Sequence, residues 1–553
     1  MNIVHYLLKQ FFYDEKIKII TLVILSLTIV LIQTNLISLI TANIIEGIEK
    51  KDFKYTMNNY KYFLAASILF IVIYYTYKSI QNITVSKMMQ WIKHEIFRVI
   101  LLINNENMCH VNFVEFITPI TRISVSCYIL FYDLLSTIMP SLAFLFIISM
   151  FFLYKNVGFG SFFLAGNVMI VLYALYFWKD MVEYKNRQET KINQNEQYLV
   201  DILNNIDKVI YRGQVRNEID IFLNKTNESI TLSNDFSNYV TTHIMIMTLF
   251  VYAIIFASLF YLVRLRFSNR ITTTIFISFF TILLLYRDKI LNTINNIPDY
   301  LEFVGRLDYI VGTFNTMLGD KVDIPKLLEK AYEPTTLDFD RIQFNNVSFR
   351  YNKTNKLILD NFNIDLEIKN KIVGITGLSG KGKSSFVKLI LRLYDPTSGD
   401  ILIDGQNVKT VDPIYLRKNI TYVNQNSKLF DIKIIDNILY GCNDPSECNK
   451  HLDEIMKNVK IRELFKNVDI HTSDAGSLGE NLSGGQRQII NMISGFINPS
   501  EVLILDEPTN ALDPELKKHV LQMIKYFKQY KKSIIIITHD RDVYPIFDEN
   551  VQI

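Results

Sequence analysis

Gly377-Leu378-Ser379-Gly380-Lys381-Gly382-Lys383-Ser384 follows the apolar run Ile372-Val373-Gly374-Ile375 and leads into Phe386-Val387-Lys388-Leu389-Ile390-Leu391, whose apolar spacing is helical. A strand, a glycine-rich turn and a helix in that order gather backbone N–H groups at a positive helix end. Such a nest suits a polyphosphate. The pattern G-x-x-x-x-G-K-[ST] assigns Lys383 to the outer phosphates and the Ser384 hydroxyl to Mg²⁺. Four fixed positions also arise by chance, so the surroundings decide what this stretch means.

The chain has 553 residues, enough for two to four domains. Its 58 basic and 55 acidic residues nearly cancel, which gives no electrostatic argument for a nucleic-acid partner, and none is expected. An apolar share of 49% with 13% aromatics is high for a soluble protein, while a mean hydropathy of +0.17 is low for one that is membrane throughout. Half membrane and half soluble satisfies both. The four cysteines, Cys109, Cys127, Cys442 and Cys448, lack ligand-like spacing and read as free thiols of a reducing compartment. Met1 to Ile17 is mixed and amphipathic, unlike a cleavable signal, and reads as a helix along the membrane surface.

Six stretches have the roughly 20 mostly apolar residues of a membrane span: 18–43, 61–83, 128–154, 158–181, 239–264 and 271–291. Leu142-Ala143-Phe144-Leu145-Phe146-Ile147-Ile148 lacks the polar face that a soluble bundle helix would show. The connectors alternate: 44–60, 155–157 and 265–270 are short, whereas 84–127 and 182–238 are long and still helical in pattern. Lys87, Lys93, Arg98 and Arg122 in the first long connector, and Lys185, Arg187, Lys191 and Lys208 in the second, place both in the cytoplasm with the termini. Arg264, Arg266 and Arg270 in an outer loop run against that bias. Gln33, Asn35, Asp133, Asn167 and His243 are polar positions in or beside spans, best read as interhelical hydrogen-bonding groups. Pro140 predicts a kink that its neighbours accommodate.

The apolar runs stop after Arg306, and Pro325 and Pro334 punctuate a polar linker. Residues 342–349 and 362–368 then alternate with period two, as half-buried strands do. Val502-Leu503-Ile504-Leu505 and Ile534-Ile535-Ile536-Ile537 read as buried parallel strands, so an α/β domain is expected. Twelve of the twenty glycines fall between Gly374 and Gly495, marking where backbone turns sharply or approaches a ligand.

Leu482-Ser483-Gly484-Gly485-Gln486, then Val502 to Asp506-Glu507, with Tyr422-Val423-Asn424-Gln425 before them and Asn510-Ala511-Leu512-Asp513 and Thr538-His539-Asp540 after, form an ordered set. With these motifs residues 338–553 resemble the nucleotide-binding domain of an ABC transporter, and the six preceding spans resemble the exporter type. The resemblance implies an all-α six-helix transmembrane domain over 1–317, a linker over 318–337, and an α/β P-loop ATPase domain. It implies ATP and Mg²⁺ as ligands. Gly377, Leu378, Ser379, Gly380, Lys381, Gly382, Lys383, Ser384 and Ser385 would wrap the phosphates, and Tyr351, in Phe349-Arg350-Tyr351, would stack on adenine. Asp506, Ser384 and Gln425 would hold the metal, with Glu507 as general base and Gln425 and His539 completing the catalytic set. Ser483, Gly484, Gly485, Gln486 and Asp513 would close on ATP held by a second subunit.

The resemblance therefore implies a half-transporter working as a dimer, with itself or with a paralogous half-transporter, in contact with membrane lipids. It would export or flip an amphipathic, lipid or peptide substrate, with its ATPase domain in the cytoplasm. Segments near Asn104–Asn112 and Asn204–Ile210 would carry motion between the domains. An ATP-gated regulator or channel is the alternative; the six spans exclude a soluble ABC ATPase. Three departures stand out: Lys381 replaces a small residue, Ser477 replaces a glutamate, and the chain ends soon after His539, short of the family's final strands and helix.

Overall fold

The computed structural model describes residues 3–106, 114–318, 331–351, 356–377, 382–425, 428–510 and 512–552. It divides into two compact units, Met1–Val99 with Val111–Ile324, and Ile100–His110 with Pro325–Ile553.

The first unit is helical. Its elements are α1 (Ile3–Asp14), α2 (Lys16–Leu31), α3 (Ile37–Glu49), α4 (Phe53–Glu106), α5 (Val114–Asp133), α6 (Met139–Lys155), α7 (Val157–Asn204), α8 (Ile206–Tyr211), α9 (Val215–Phe267), α10 (Thr273–Asn295) and α11 (Ile297–Leu318). Where they are described, the long connectors are helical, as expected: α4 continues the second span to Glu106, and α7 and α9 continue the fourth and fifth spans, with α8 and its flanking turns between them. α4 runs for 54 residues, about 80 Å at 1.5 Å per residue. Among the described residues five helical stretches are long and apolar enough to cross a membrane: Lys16–Glu49, Phe53–Asn105, Arg122–Lys155, Val157–Asn204 and Val215–Phe267. The sixth expected span falls on α10, a 23-residue helix that carries Arg287, Asp288 and Lys289 towards its C-terminal end.

Among the described residues two single π-turns interrupt the apolar helices. One, Leu134–Ile138, lies just before Pro140, which occupies the first turn of α6. A proline there needs no N–H partner, and the widened turn ahead of it takes up the mismatch. The other, Ile32–Leu36, holds Gln33 and Asn35 half-buried, with Thr34 buried between them and donating its hydroxyl to Val30 O at 2.8 Å. Asn167 and His243 make the expected interhelical bonds. Asn167 Oδ1 accepts from the Tyr286 hydroxyl at 2.8 Å, joining α7 to α10, and His243 Nδ1 lies 2.8 Å from the Tyr173 hydroxyl, joining α9 to α7. Beside Tyr286, Phe152, Phe159, Phe163 and Phe279 form an aromatic core with ring centroids 4.5–5.0 Å apart. Such offset and edge-on packing is what holds helices together where lipid offers no hydrophobic drive.

The second unit is α/β. A four-stranded sheet has the order β2 (Leu359–Glu367), β1 (Arg341–Phe349), β4 (Ser398–Ile403), β5 (Gln406–Asn407), and its pairings are antiparallel. A five-stranded sheet has the order β6 (Ile420–Val423), β7 (Val502–Asp506), β8 (Ser533–Ile537), β3 (Ile372–Thr376), β9 (Glu549–Gln552), all parallel. The helices are α12 (Lys383–Ile390), α13 (Pro413–Asn419), α14 (Ile434–Ile438), α15 (Pro445–Met456), α16 (Val459–Leu464), α17 (Gly484–Ile497) and α18 (Pro514–Phe527). The parallel sheet is covered on both faces, which is why its strands read as continuous apolar runs. Along β8, Ile534 and Ile536 enter one core with α17 and α18, while Ile535 and Ile537 enter the other with α12 and the antiparallel sheet.

Two expectations need correction. A strand does follow His539: β9 pairs with β3 from Val373↔Glu549 to Thr376↔Gln552, so that edge is covered. Cys442 and Cys448 are not free thiols but a disulfide, with Cα atoms 6.6 Å apart. Asp444 caps α15 by accepting from Ser446 and Glu447 N–H, and the resulting turn brings the two cysteines together. Cys127 is a free, buried thiol, and Cys109 lies outside the described residues.

Candidate nucleotide-binding site

The site gathers at the C-terminal ends of β3, β6, β7 and β8, where an open parallel sheet presents loops to a ligand. After β3 the chain enters α12 through Gly382, whose φ of +97° is left-handed. A Cβ at Gly382 would also press on Leu359 Cδ2 at 3.0 Å and Ile358 Cγ2 at 3.3 Å, so glycine is required twice over. Lys383 is buried and donates to Gly377 O at 2.9 Å, folding its ammonium back over the loop. Leu378, Ser379, Gly380 and Lys381 lie outside the described residues.

At the end of β7 two adjacent carboxylates take different partners. Asp506 Oδ2 accepts from the Tyr422 hydroxyl at 2.8 Å and from Ser384 Oγ at 3.3 Å. Burial raises the Asp506 carboxyl above the usual range, against the lowering effect of these donors, and raises the Tyr422 phenol as well. Glu507 turns the other way. Its Oε1 accepts from His539 Nδ1 at 2.6 Å and its Oε2 from Thr538 Oγ1 at 3.3 Å. Its backbone is also tied, with N–H donating to Ile537 O at 2.8 Å and C=O accepting from Gln488 Nε2 at 3.1 Å. Glu507 has φ +52°, unusual for a residue with a long side chain.

Gln425 is exposed in the turn after β6 and shares a cavity of about 260 Å³ with Asp506, Asn424, Gly484, Arg487 and Gln488. The Asp506 carboxylate, the Ser384 hydroxyl and the Gln425 amide oxygen form an all-oxygen donor set, which fits a hard divalent cation such as Mg²⁺. The loop–helix junction at Gly382 fits a phosphate chain. Tyr351 is half-buried: its hydroxyl lies 2.9 Å from Ser385 Oγ, and its ring packs edge-on to Phe349 and Tyr394 with Lys388 over it.

A family model described as "ABC transporter" matches residues 359–510. Among curated relatives, the Alpha-hemolysin translocation ATP-binding protein HlyB of Proteus vulgaris is 35% identical over 232 residues, 41% of this chain and 32% of that one. A putative multidrug export ATP-binding/permease protein of Staphylococcus aureus is 35% identical over 205 residues, 37% of this chain and 35% of that one. The matched stretch thus spans about a third of the length of these relatives. A solved bacterial Atm1-family ABC exporter with ATP bound superposes with a TM-score of 0.76 at 20% identity, covering 98% of this chain and 93% of that one. Residues 359–510 are thus similar to the ATP-binding part of ABC transporters. Over its length the chain shares the fold of that solved exporter, and among the described residues five of its helices are long and apolar enough to cross a membrane.

Within the matched stretch the Leu482–Gln486 motif opens α17. Ser483 caps the helix by accepting from Gln486 N–H at 3.2 Å, and Gln486 Oε1 accepts from Ser483 N–H at 2.8 Å, a complete capping box. Gln486 also donates to Leu464 O at 2.9 Å, which commits its amide within its own chain. Ser483 and Gly484 are exposed, and a Cβ on Gly484 would meet nothing within 4 Å. Asp513 caps α18, accepting from Glu515 and Leu516 N–H at 3.0 and 2.9 Å. The short helix expected near Asn204–Ile210 is α8. Of the segment near Asn104–Asn112, only 104–106 is described, and within the ATPase unit Arg417 Nη1 donates to Asn105 Oδ1 at 2.9 Å.

Sequence reasoning passed over Tyr422, Thr538 and Gln488 as members of the site. Tyr422 is three residues before Gln425, on the strand next to β7, and that adjacency was its available signal.

Proposed function

We propose that the chain is one half of an ATP-driven exporter that works as a dimer and moves an amphipathic, lipid or peptide substrate across a membrane. The proposal includes six spans within 1–317, a linker over 318–337 and the ATPase domain over 338–553. One observation carries it: the Glu507 carboxylate is held by His539 and Thr538 beside a separately held Asp506, so hydrolytic and metal-side carboxylates are both present and distinct.

In this reading Lys383 leaves Gly377 O to meet the outer phosphates, and Gly382 lets the backbone N–H groups of α12 approach them. Ser384 and Asp506, with Gln425 across the cavity, would hold Mg²⁺, whose chemistry is to neutralise charge on the phosphates. Glu507 orients the attacking water and accepts its proton, while His539 fixes the carboxylate's rotation. The exposed Ser483–Gly484 turn of a second copy would face the γ-phosphate, the positive end of α17 stabilising its charge. α8, with Ile206, Ile210 and Tyr211 exposed, is the segment we assign to carrying motion between domains.

Glu507→Gln tests the reading. It should leave ATP binding intact and lower turnover by about 100-fold or more; unchanged ATPase activity in the purified protein sinks the assignment. ATP-dependent uptake of cargo into sealed inside-out vesicles distinguishes vectorial export from a gate that ATP merely opens.

A further inference from the structure

Tyr422 sits on β6 in register with Ile504 of β7, one strand away from the carboxylate pair. Its ring packs against the core beneath the antiparallel sheet, a task that phenylalanine would do as well. What phenylalanine lacks is the hydroxyl, and that hydroxyl makes the shorter of the two side-chain bonds to Asp506 Oδ2, 2.8 Å against 3.3 Å from Ser384. Asp506 is 7% exposed, so water offers little substitute for a missing donor. A carboxylate held at one oxygen by a rigid aromatic arm has its plane fixed, here at the lining of the cavity that Gln425 also lines. Tyr422 is anchored by the strand itself, so this hold does not depend on a loop.

We propose that Tyr422 is a positioning residue for Asp506, orienting the carboxylate that takes the metal side of the ATP site. The inference rests on the reading of Asp506 as a metal-side group. It separates binding of the nucleotide from binding of the metal: the Tyr422 hydroxyl bonds the metal-side carboxylate, so the metal-dependent part of nucleotide binding should respond to it.

The test uses the full chain in nanodiscs and the binding of a fluorescent ATP analogue, first in EDTA and then titrated with Mg²⁺. Tyr422→Phe should bind metal-free nucleotide like the wild type but need about tenfold more Mg²⁺ or beyond for its half-maximal effect, the cost of one hydrogen bond to a charged group. Replacing Tyr422 by 4-aminophenylalanine, which keeps a donor at the same reach, should restore the wild-type midpoint. O-methyltyrosine, which has no proton to give, should behave as phenylalanine does and serves if Tyr422→Phe does not fold. Equal Mg²⁺ midpoints in wild type and the donorless variants, with Asp506→Asn having lost the response, overturn the Tyr422 proposal alone. An Asp506→Asn protein that keeps the wild-type midpoint overturns the reading of Asp506 beneath it.

Discussion

Lys531 is 6% exposed, and its ammonium donates to Asn498 O, to Ser500 O at 3.2 Å and to Ser500 Oγ at 3.4 Å, pinning the turn that feeds β7. Burial pushes it down to about 8. An unfolded lysine titrates near 10.4, so between about pH 8 and 10 the unfolded chain holds the extra proton. Stability therefore rises with pH across that window, by up to about 3 kcal/mol, and below it the penalty of the buried charge is fully present. Calorimetric unfolding of wild type and Lys531→Met from pH 7 to 10 should show the wild type gaining on the variant as pH rises. Parallel curves would mean that the three acceptors already compensate the charge. At this scale the sequence announced the residues that define motifs, because Lys383, Asp506, Glu507 and His539 occur at fixed spacings. Tyr422 and Lys531 were not legible: each earns its place through a partner on another strand or turn, which no spacing along the chain encodes.

Among the elements, α17 is the one whose position matters most, since its first turn is the Ser483–Gln486 capping box and its body lies on the parallel sheet. Gly495 makes that approach possible. A Cβ there would run into Val423 Cγ2 and come within 3.2 Å of Leu503 Cδ1, on β6 and β7. Gly495→Ala should cost about 1–3 kcal/mol by overpacking and, by lifting the helix, should lower ATPase activity as well. Melting temperature and turnover measured on the same preparation check this; an unaltered melting temperature would show slack between helix and sheet. The sequence revealed strands and spans through their periodicities. It did not reveal that spans and connectors fuse into single helices of 54, 48 and 53 residues, because hydropathy falls where the helix leaves the membrane while the hydrogen bonding continues. Pro140 signalled a disturbance, but its form, a π-turn one step earlier, depends on how α6 packs against α2 and α7.

For the whole molecule, the exposed Ser483–Gly484 turn and the P-loop belong to one chain but, in the proposed dimer, serve different ATP molecules. Co-expression tests this directly. Lys383→Ala removes a chain's own phosphate grip and Ser483→Arg blocks the face it offers to a partner. Each variant alone should be inactive, whereas mixing them should restore ATPase activity, because one composite site then escapes both faults. Mixtures as silent as the separate proteins would count against a shared site. The division into a helical unit and an α/β unit was plain from hydropathy alone. Less so were the Cys442–Cys448 bridge, which depends on how Asp444 turns the chain, and the closing edge strand β9, whose Glu549-Asn550-Val551-Gln552 is too short and polar to advertise itself.

Glu507 holds a backbone angle of +52° that costs a side-chain-bearing residue about 1–2 kcal/mol. Glycine would relieve this, so Glu507→Gly should melt above Glu507→Ala, the reverse of their usual order, while both lose hydrolysis. Differential scanning calorimetry of the two variants is enough to see it; the ordinary order would mean the strain is not real. The enzyme would then be one substitution away from a sturdier and useless form. Selection for thermal robustness alone would erode this catalyst at its own base, and only selection for turnover keeps the glutamate in place.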